Sequence, residues 1–94
     1  MALTINKLSK PIKVTGTTDA SAKVTDRLGY VKFIHWYNVT TSGHLLSLTD
    51  KNGTEVVKLK AEKDGDTITY PVLQEMAGIY CDDMDSGTLY INMR

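Results

Sequence analysis

Apolar and polar residues alternate along most of this chain, with the period of two that marks a strand with one buried face. Leu3-Thr4-Ile5-Asn6 opens the series, and Ile12-Lys13-Val14-Thr15 resumes it after Pro11. Proline lacks a ladder donor, so it suits an edge strand or a strand's first residue. Ala22 to Thr25 predicts a short strand and Asp26-Arg27-Leu28-Gly29 a turn. Tyr30 to Asn38 carries the strongest strand signal. Ile34 and Trp36 share one face with Tyr30 and Lys32, while Val31, Phe33 and Tyr37 share the other with His35. Apolar residues on both faces predict a central strand covered on both sides, or an exposed aromatic patch on one.

His44 to Thr49 and Thr54 to Ala61 alternate on either side of Asp50-Lys51-Asn52-Gly53, a hairpin signal in which Asn-Gly supplies left-handed conformations. Lys63-Asp64-Gly65-Asp66 predicts the next turn and Thr67 to Leu73 the next strand. Gln74 to Gly78 is too short for helix propensity to decide, and reads as a loop or a single helical turn. Ile79 to Cys81 predicts a short strand. The Asp85-Ser86-Gly87 turn then leads into a closing strand, where Leu89, Ile91 and Met93 alternate with Thr88, Tyr90 and Asn92.

No segment sustains a 3.6-residue period. Turn signals recurring roughly every ten residues predict an all-β fold of about seven or eight short strands, an antiparallel β-sandwich or jelly-roll-like barrel. Hairpin connections without crossover helices make the sheet antiparallel. The expected core is Ile34, Leu46, Leu48, Val57, Leu59, Ile68, Val72, Leu89 and Ile91, each on the apolar face of an alternating run. A single domain over residues 1–94 is expected, with both ends held in the sheet and no tail after the last strand.

Charge changes the functional picture. Lys plus Arg and Asp plus Glu both number 11, giving a formal net charge of zero. A nucleic-acid binder ordinarily shows a basic patch, so that partner class is not expected. Neutrality also removes the self-repulsion that keeps free proteins apart, which suits a permanent assembly. No run approaches the ~20 apolar residues of a membrane span, and the start lacks a signal peptide's charged and apolar regions. The single cysteine, Cys81, fits a reducing compartment. Asn38-Val39-Thr40 matches a glycosylation sequon, but without a secretion signal it reads as a strand end entering a Thr-rich loop.

Candidate chemistry is sparse. Asp82, Asp83 and Asp85 form one acidic cluster and Asp64 with Asp66 another. Neither has the twelve-residue calcium-loop spacing, and Asp is a common turn residue, so no metal is expected. Cys81 with His35 or His44 offers a nucleophile and a base, or ligands for zinc, but no paired-ligand spacing supports a site. Glu55, Glu62 and Glu75 are dispersed, with no sign of a paired-carboxylate site. No phosphate loop or nucleophile elbow is present, and no cofactor is expected. Lys7, Lys10 and Lys13 place charge along an edge, which deters unwanted strand pairing. Tyr30, Trp36 and Tyr37 are the candidate ligand or partner contacts, because an exposed aromatic strip can stack on sugars or anchor a protein.

Taken in order, the Tyr30-Val-Lys-Phe-Ile-His-Trp36 strand, the Thr40-Thr-Ser-Gly-His44 loop, the Asp50-Lys-Asn-Gly53 hairpin and the Asp85-Ser-Gly-Thr-Leu-Tyr-Ile91 ending resemble small structural proteins of tailed bacteriophages. The resemblance covers about residues 30–92. It implies a virion β-sandwich without an active site, of the capsid decoration, head-fibre or connector type, made in the host cytoplasm. Its expected partners are copies of itself and a major capsid or connector protein, with no nucleic acid and no membrane. The assembly edge expected for such a homo-oligomer is Leu3, Ile5, Ile12 and Val14. The alternative is a carbohydrate-binding or adhesin module using Trp36 and neighbouring tyrosines. An exposed Trp36 favours that alternative, and a buried one the structural role.

Overall fold

The computed structural model describes residues 3–6, 11–19 and 21–94. The chain forms β1 (Leu3–Asn6), β2 (Ile12–Gly16), β3 (Ala22–Val39), β4 (Leu45–Thr49), β5 (Glu55–Lys60), β6 (Asp66–Met84) and β7 (Thr88–Met93). All pairings are antiparallel, in one seven-stranded sheet ordered β1-β2-β7-β3-β6-β4-β5. No helix occurs among the described residues, so none there is long and apolar enough to cross a membrane.

The expectation of uniformly short strands fails at two places. β3 has 18 residues and β6 has 19, and they pair along nearly their whole length. The expected turn at Asp26–Gly29 and the expected loop or helical turn at Gln74–Gly78 both lie inside these strands. The two segments face each other, with Leu28 opposite Ala77 and Gly29 opposite Met76. The breakers produce irregularities instead of strand ends: the register slips between Thr25 and Leu28, and Gly78 adopts φ 86°. Two interrupted segments that stay paired form a bent ribbon, because each keeps the other's backbone groups satisfied.

The ribbon carries a wing on each side. β7, β2 and β1 extend from the second half of β3, and β4 and β5 extend from the second half of β6. The wings fold toward each other and share one core: Val14, Leu89 and Ile91 from one, Leu46, Leu48 and Val57 from the other, and Ile34, Trp36, Ile79 and Cys81 from the ribbon. Thr18, two residues beyond β2, exchanges backbone hydrogen bonds of 3.0 and 2.9 Å with Met84 at the end of β6. The sheet thereby curls on itself in sandwich or barrel fashion and buries one face.

A second irregularity decides which residues enter the core. Between Val31 and Phe33, β3 carries an extra residue relative to β7, and β6 carries one relative to β3. Leu73 lies there with a left-handed φ of 54°. The alternation resets, so Val31 is buried with Ile34 and Trp36, not exposed with Phe33 and Tyr37 as strict alternation predicts. Of the expected core, Leu59, Ile68 and Val72 are only partly buried and pack against its margin.

The Asp50–Gly53 hairpin forms as expected. Asp50 Oδ1 accepts from the backbone of Asn52 at 2.9 Å and Thr54 at 3.0 Å, and Gly53 takes φ 85°. Its tip docks on the ribbon, where Lys51 N donates to Ala77 O at 3.0 Å.

Candidate functional site: an aromatic outer strip over a buried serine knot

Trp36 is fully buried, which corrects its assignment as a surface contact. Its indole Nε1 donates to Ser86 O at 2.9 Å. The Ser86 hydroxyl accepts from Thr40 N at 3.1 Å and lies 2.7 Å from His44 Nδ1. Asp85 accepts from Leu45 N at 2.8 Å, and its own N donates to Leu45 O at 3.1 Å. The β7 turn is thus tied to the β3 strand and to the 40–44 loop. Three of the four segments that carry the resemblance, the 30–36 strand, the 40–44 loop and the 85–91 ending, meet at this knot. These hydrogen bonds hold the turn, the strand and the loop together.

With Trp36 inward, the outer face of β3 presents Phe33, His35 and Tyr37. Tyr37 is 50% and Phe33 36% exposed. His35 Nδ1 lies 2.7 Å from Thr69 Oγ1, and the His35 and Tyr37 rings are near-parallel, 6.0 Å apart with 25° between planes. Tyr90 of β7 pairs with His35 and Asn92 with Phe33, so both extend the same face. Tyr30 is half-buried and lies farther along, beneath the Arg94 guanidinium at 5.1 Å. Of the three expected contact residues, Tyr37 is in the strip, Tyr30 is at a distance from it under Arg94, and Trp36 is beneath it.

No protein-family model matches the chain, and no curated protein or solved structure matches it.

The expected assembly edge divides. Leu3 and Ile5 lie on β1, the outermost strand, half-buried. Ile12 and Val14 lie on β2, where Ile12 pairs with Ile91 of β7 and Val14 pairs on both sides, with Ile5 of β1 and Leu89 of β7, and is fully buried. Val14 is therefore not an edge residue. Pro11 precedes β2 as its entry, the other position that proline suits. Of the expected basic edge, Lys7 and Lys10 lie outside the described residues, and Lys13 is exposed on β2.

Cys81 is buried, and its burial pushes the thiol up to about 12, helped by the Asp83 and Asp82 charges. It is a protonated core residue at neutral pH, whereas the nucleophile is the thiolate. An aromatic disulfide reagent at pH 8 is expected to leave the native protein unmodified and to react fully in denaturant. Rapid reaction of the native protein would show that the thiol is accessible.

Among the described residues no group of three or more His, Cys, Asp or Glu is placed to hold a metal. Asp66 is instead a loop clamp, its carboxyl held below the usual range first by the Glu62 N–H it accepts from. Asp83 is pushed the other way. Burial raises it first, then a hydrogen bond to the Asp85 side chain and the charges of Asp85, Asp82 and Asp19. Its Oδ1 is buried without a partner. Because its folded pKa is raised, the folded state binds the extra proton, and stability falls as pH rises from the unfolded value through the raised one. Asp83→Asn removes that penalty and can still donate to Asp85. The variant is expected to melt higher than the parent at pH 7, with the gap closing as pH falls through the raised pKa. A lower melting temperature at pH 7, or a calcium-induced rise in the parent alone, would contradict this reading.

Proposed function

We propose that the chain is a non-enzymatic structural component of a tailed-phage virion, a capsid decoration or head-fibre-type protein that packs against copies of itself or a major structural protein. The observation that carries this reading is the place of β1 at the end of the sheet. Among the described strands it pairs with β2, and Leu3 and Ile5 are half-buried on it. An outermost strand offers its outer side for strand addition by another chain. The opposite edge, β5, is guarded by Lys58 and Lys60, the usual deterrent to pairing. Burial of Trp36 adds support, since it takes the largest aromatic residue away from ligand binding. Zero net charge and the motif resemblance agree with an assembled state.

The test removes residues 1–6 only, because a longer deletion through residue 15 would also take Val14 out of the core. The full chain is expected to sediment as an oligomer and to be found by antibody in density-banded particles from the source culture. The shortened chain should keep its β-type circular dichroism and sediment as a monomer. A monomeric full chain absent from particles would overturn the proposal.

A further inference from the structure

We propose that Asn52 is a site of spontaneous covalent modification: in the folded chain it loses ammonia and becomes aspartate or isoaspartate, and the isoaspartate form loosens the β4–β5 tip from the ribbon. This inference does not depend on the virion reading.

The backbone nitrogen of Gly53 is the nucleophile. It gives up its proton and attacks the Asn52 side-chain carbonyl carbon, Cγ. A new C–N bond closes a succinimide ring, the bond from Cγ to the side-chain nitrogen breaks, and ammonia leaves. Water then opens the ring at either of its two carbonyls. One opening restores the ordinary main chain and leaves aspartate. The other leaves isoaspartate, with the main chain routed through Cβ. The sum is water in and ammonia out, with no oxidant and no cofactor. Of the four asparagines, only Asn52 precedes a glycine; Asn6, Asn38 and Asn92 precede Lys7, Val39 and Met93. A side chain on the following residue crowds the attacking nitrogen, and glycine has none.

The fold decides how fast this happens and what it does. Asn52 and Gly53 are both exposed at the hairpin tip, and nothing among the described residues lies within 4 Å of a Cβ added at Gly53. Ring closure and water therefore meet no obstruction. Asn38 and Asn92 lie instead within the paired strands β3 and β7. One restraint acts at the tip. Gly53 N donates its proton to Asp50 O at 3.1 Å, in a turn closed by Asp50 Oδ1, which accepts from Asn52 N and Thr54 N. Exposed turn bonds of this kind open locally while the fold stays intact, so Asp50 sets the rate. The product acts on the same turn. Asp50 N donates to Thr54 O at 3.0 Å, which fixes the span of the loop between them. Isoaspartate adds a main-chain carbon within that span, and its carboxylate repels Asp50. Lys51 N, which donates to Ala77 O at 3.0 Å, stands in this loop, and Ala77 lies opposite Leu28 where the ribbon bends. Buckling the loop withdraws that donor from the bend.

The experiment holds the full chain at pH 8, samples it over several weeks and cuts each sample with trypsin, which releases residues 52–58 as one peptide. Mass spectrometry should show the side-chain nitrogen of this peptide exchanged for oxygen, increasingly with time, while peptides carrying Asn38 and Asn92 keep the mass of the fresh sample. Enzymatic methylation specific for isoaspartate should label part of the product. Gly53→Ala, whose Cβ has room, should slow the conversion several-fold. Asp50→Ala, which opens the turn, should speed it. The aged fraction, enriched by anion exchange, should melt below both the parent and Asn52→Asp, which carries the charge without the extra main-chain carbon. An unchanged 52–58 peptide overturns the proposal, as does equal conversion at Asn38 or an undiminished rate in Gly53→Ala. An unchanged rate in Asp50→Ala overturns the control by the turn. An aged fraction that melts with Asn52→Asp overturns the loosening of the tip, because charge would then account for the whole shift.

Discussion

Trp36→Ala is expected to remove about 3–5 kcal/mol of stability, the range for truncating a fully buried large aromatic residue. That is a large part of the ~5–15 kcal/mol that holds a typical domain together, so the variant should be mostly unfolded near physiological temperature. The reason is twofold. Trp36 is the largest fully buried side chain, at the centre where the ribbon meets β7. Its Nε1 also donates to Ser86 O, and that carbonyl would lose its indole donor. Trp36→Phe separates the contributions. It keeps most of the apolar volume, and losing the hydrogen bond should cost about 1–3 kcal/mol. Urea unfolding followed by circular dichroism measures both. A loss under about 1 kcal/mol for Trp36→Ala would mean that the core is not organised around this residue.

Gly87→Ala should be the next most damaging small change, at about 2–4 kcal/mol. Gly87 has φ 84°, where a Cβ costs roughly 1–2 kcal/mol. Here the Cβ would also lie 2.8 Å from Tyr37 O and 3.1 Å from Trp36 Nε1. The first is backbone in a paired strand and the second is tied to Ser86, so neither yields without disturbing the knot. Gly53→Ala isolates the conformational part. Gly53 has φ 85° but nothing within 4 Å of an added Cβ. It should lose only the left-handed penalty. Equal losses at the two sites would show that the close approach at Gly87 carries no energy.

The two substitutions also show how far the site was legible. The Asp85-Ser86-Gly87 turn is plain in the sequence, because turn formers stand before an alternating run. That Ser86 gathers Trp36, Thr40 and His44 is not. Those residues are 50, 46 and 42 positions away, and no local pattern encodes such a distance. Small polar residues in the 40–44 loop and at 86 were the only available sign, and many loops share that composition. Alternation along β3 already sets Phe33, His35 and Tyr37 on one face, whereas Tyr90 and Asn92 join that face only through the pairing of β3 with β7.

By itself, the sequence determined the all-β class, the antiparallel pairing, the Asp50–Gly53 hairpin and the closing strand. These follow from period-two alternation and from turn residues, which act over a few residues and are read directly. Tertiary structure alone decided the rest. Asp26–Gly29 and Gln74–Gly78 look like interruptions, yet each supplies the other's strand partner, so both stay extended and the ribbon bends. The slip between Val31 and Phe33 sent Val31 inward and left Phe33 outward, which alternation within one strand cannot foresee. β2 became an inner strand because β7, at the far end of the chain, pairs along it, leaving β1 as the outer strand on that side. In each case a pairing between segments distant in sequence satisfied backbone groups or filled space that the local pattern left undetermined.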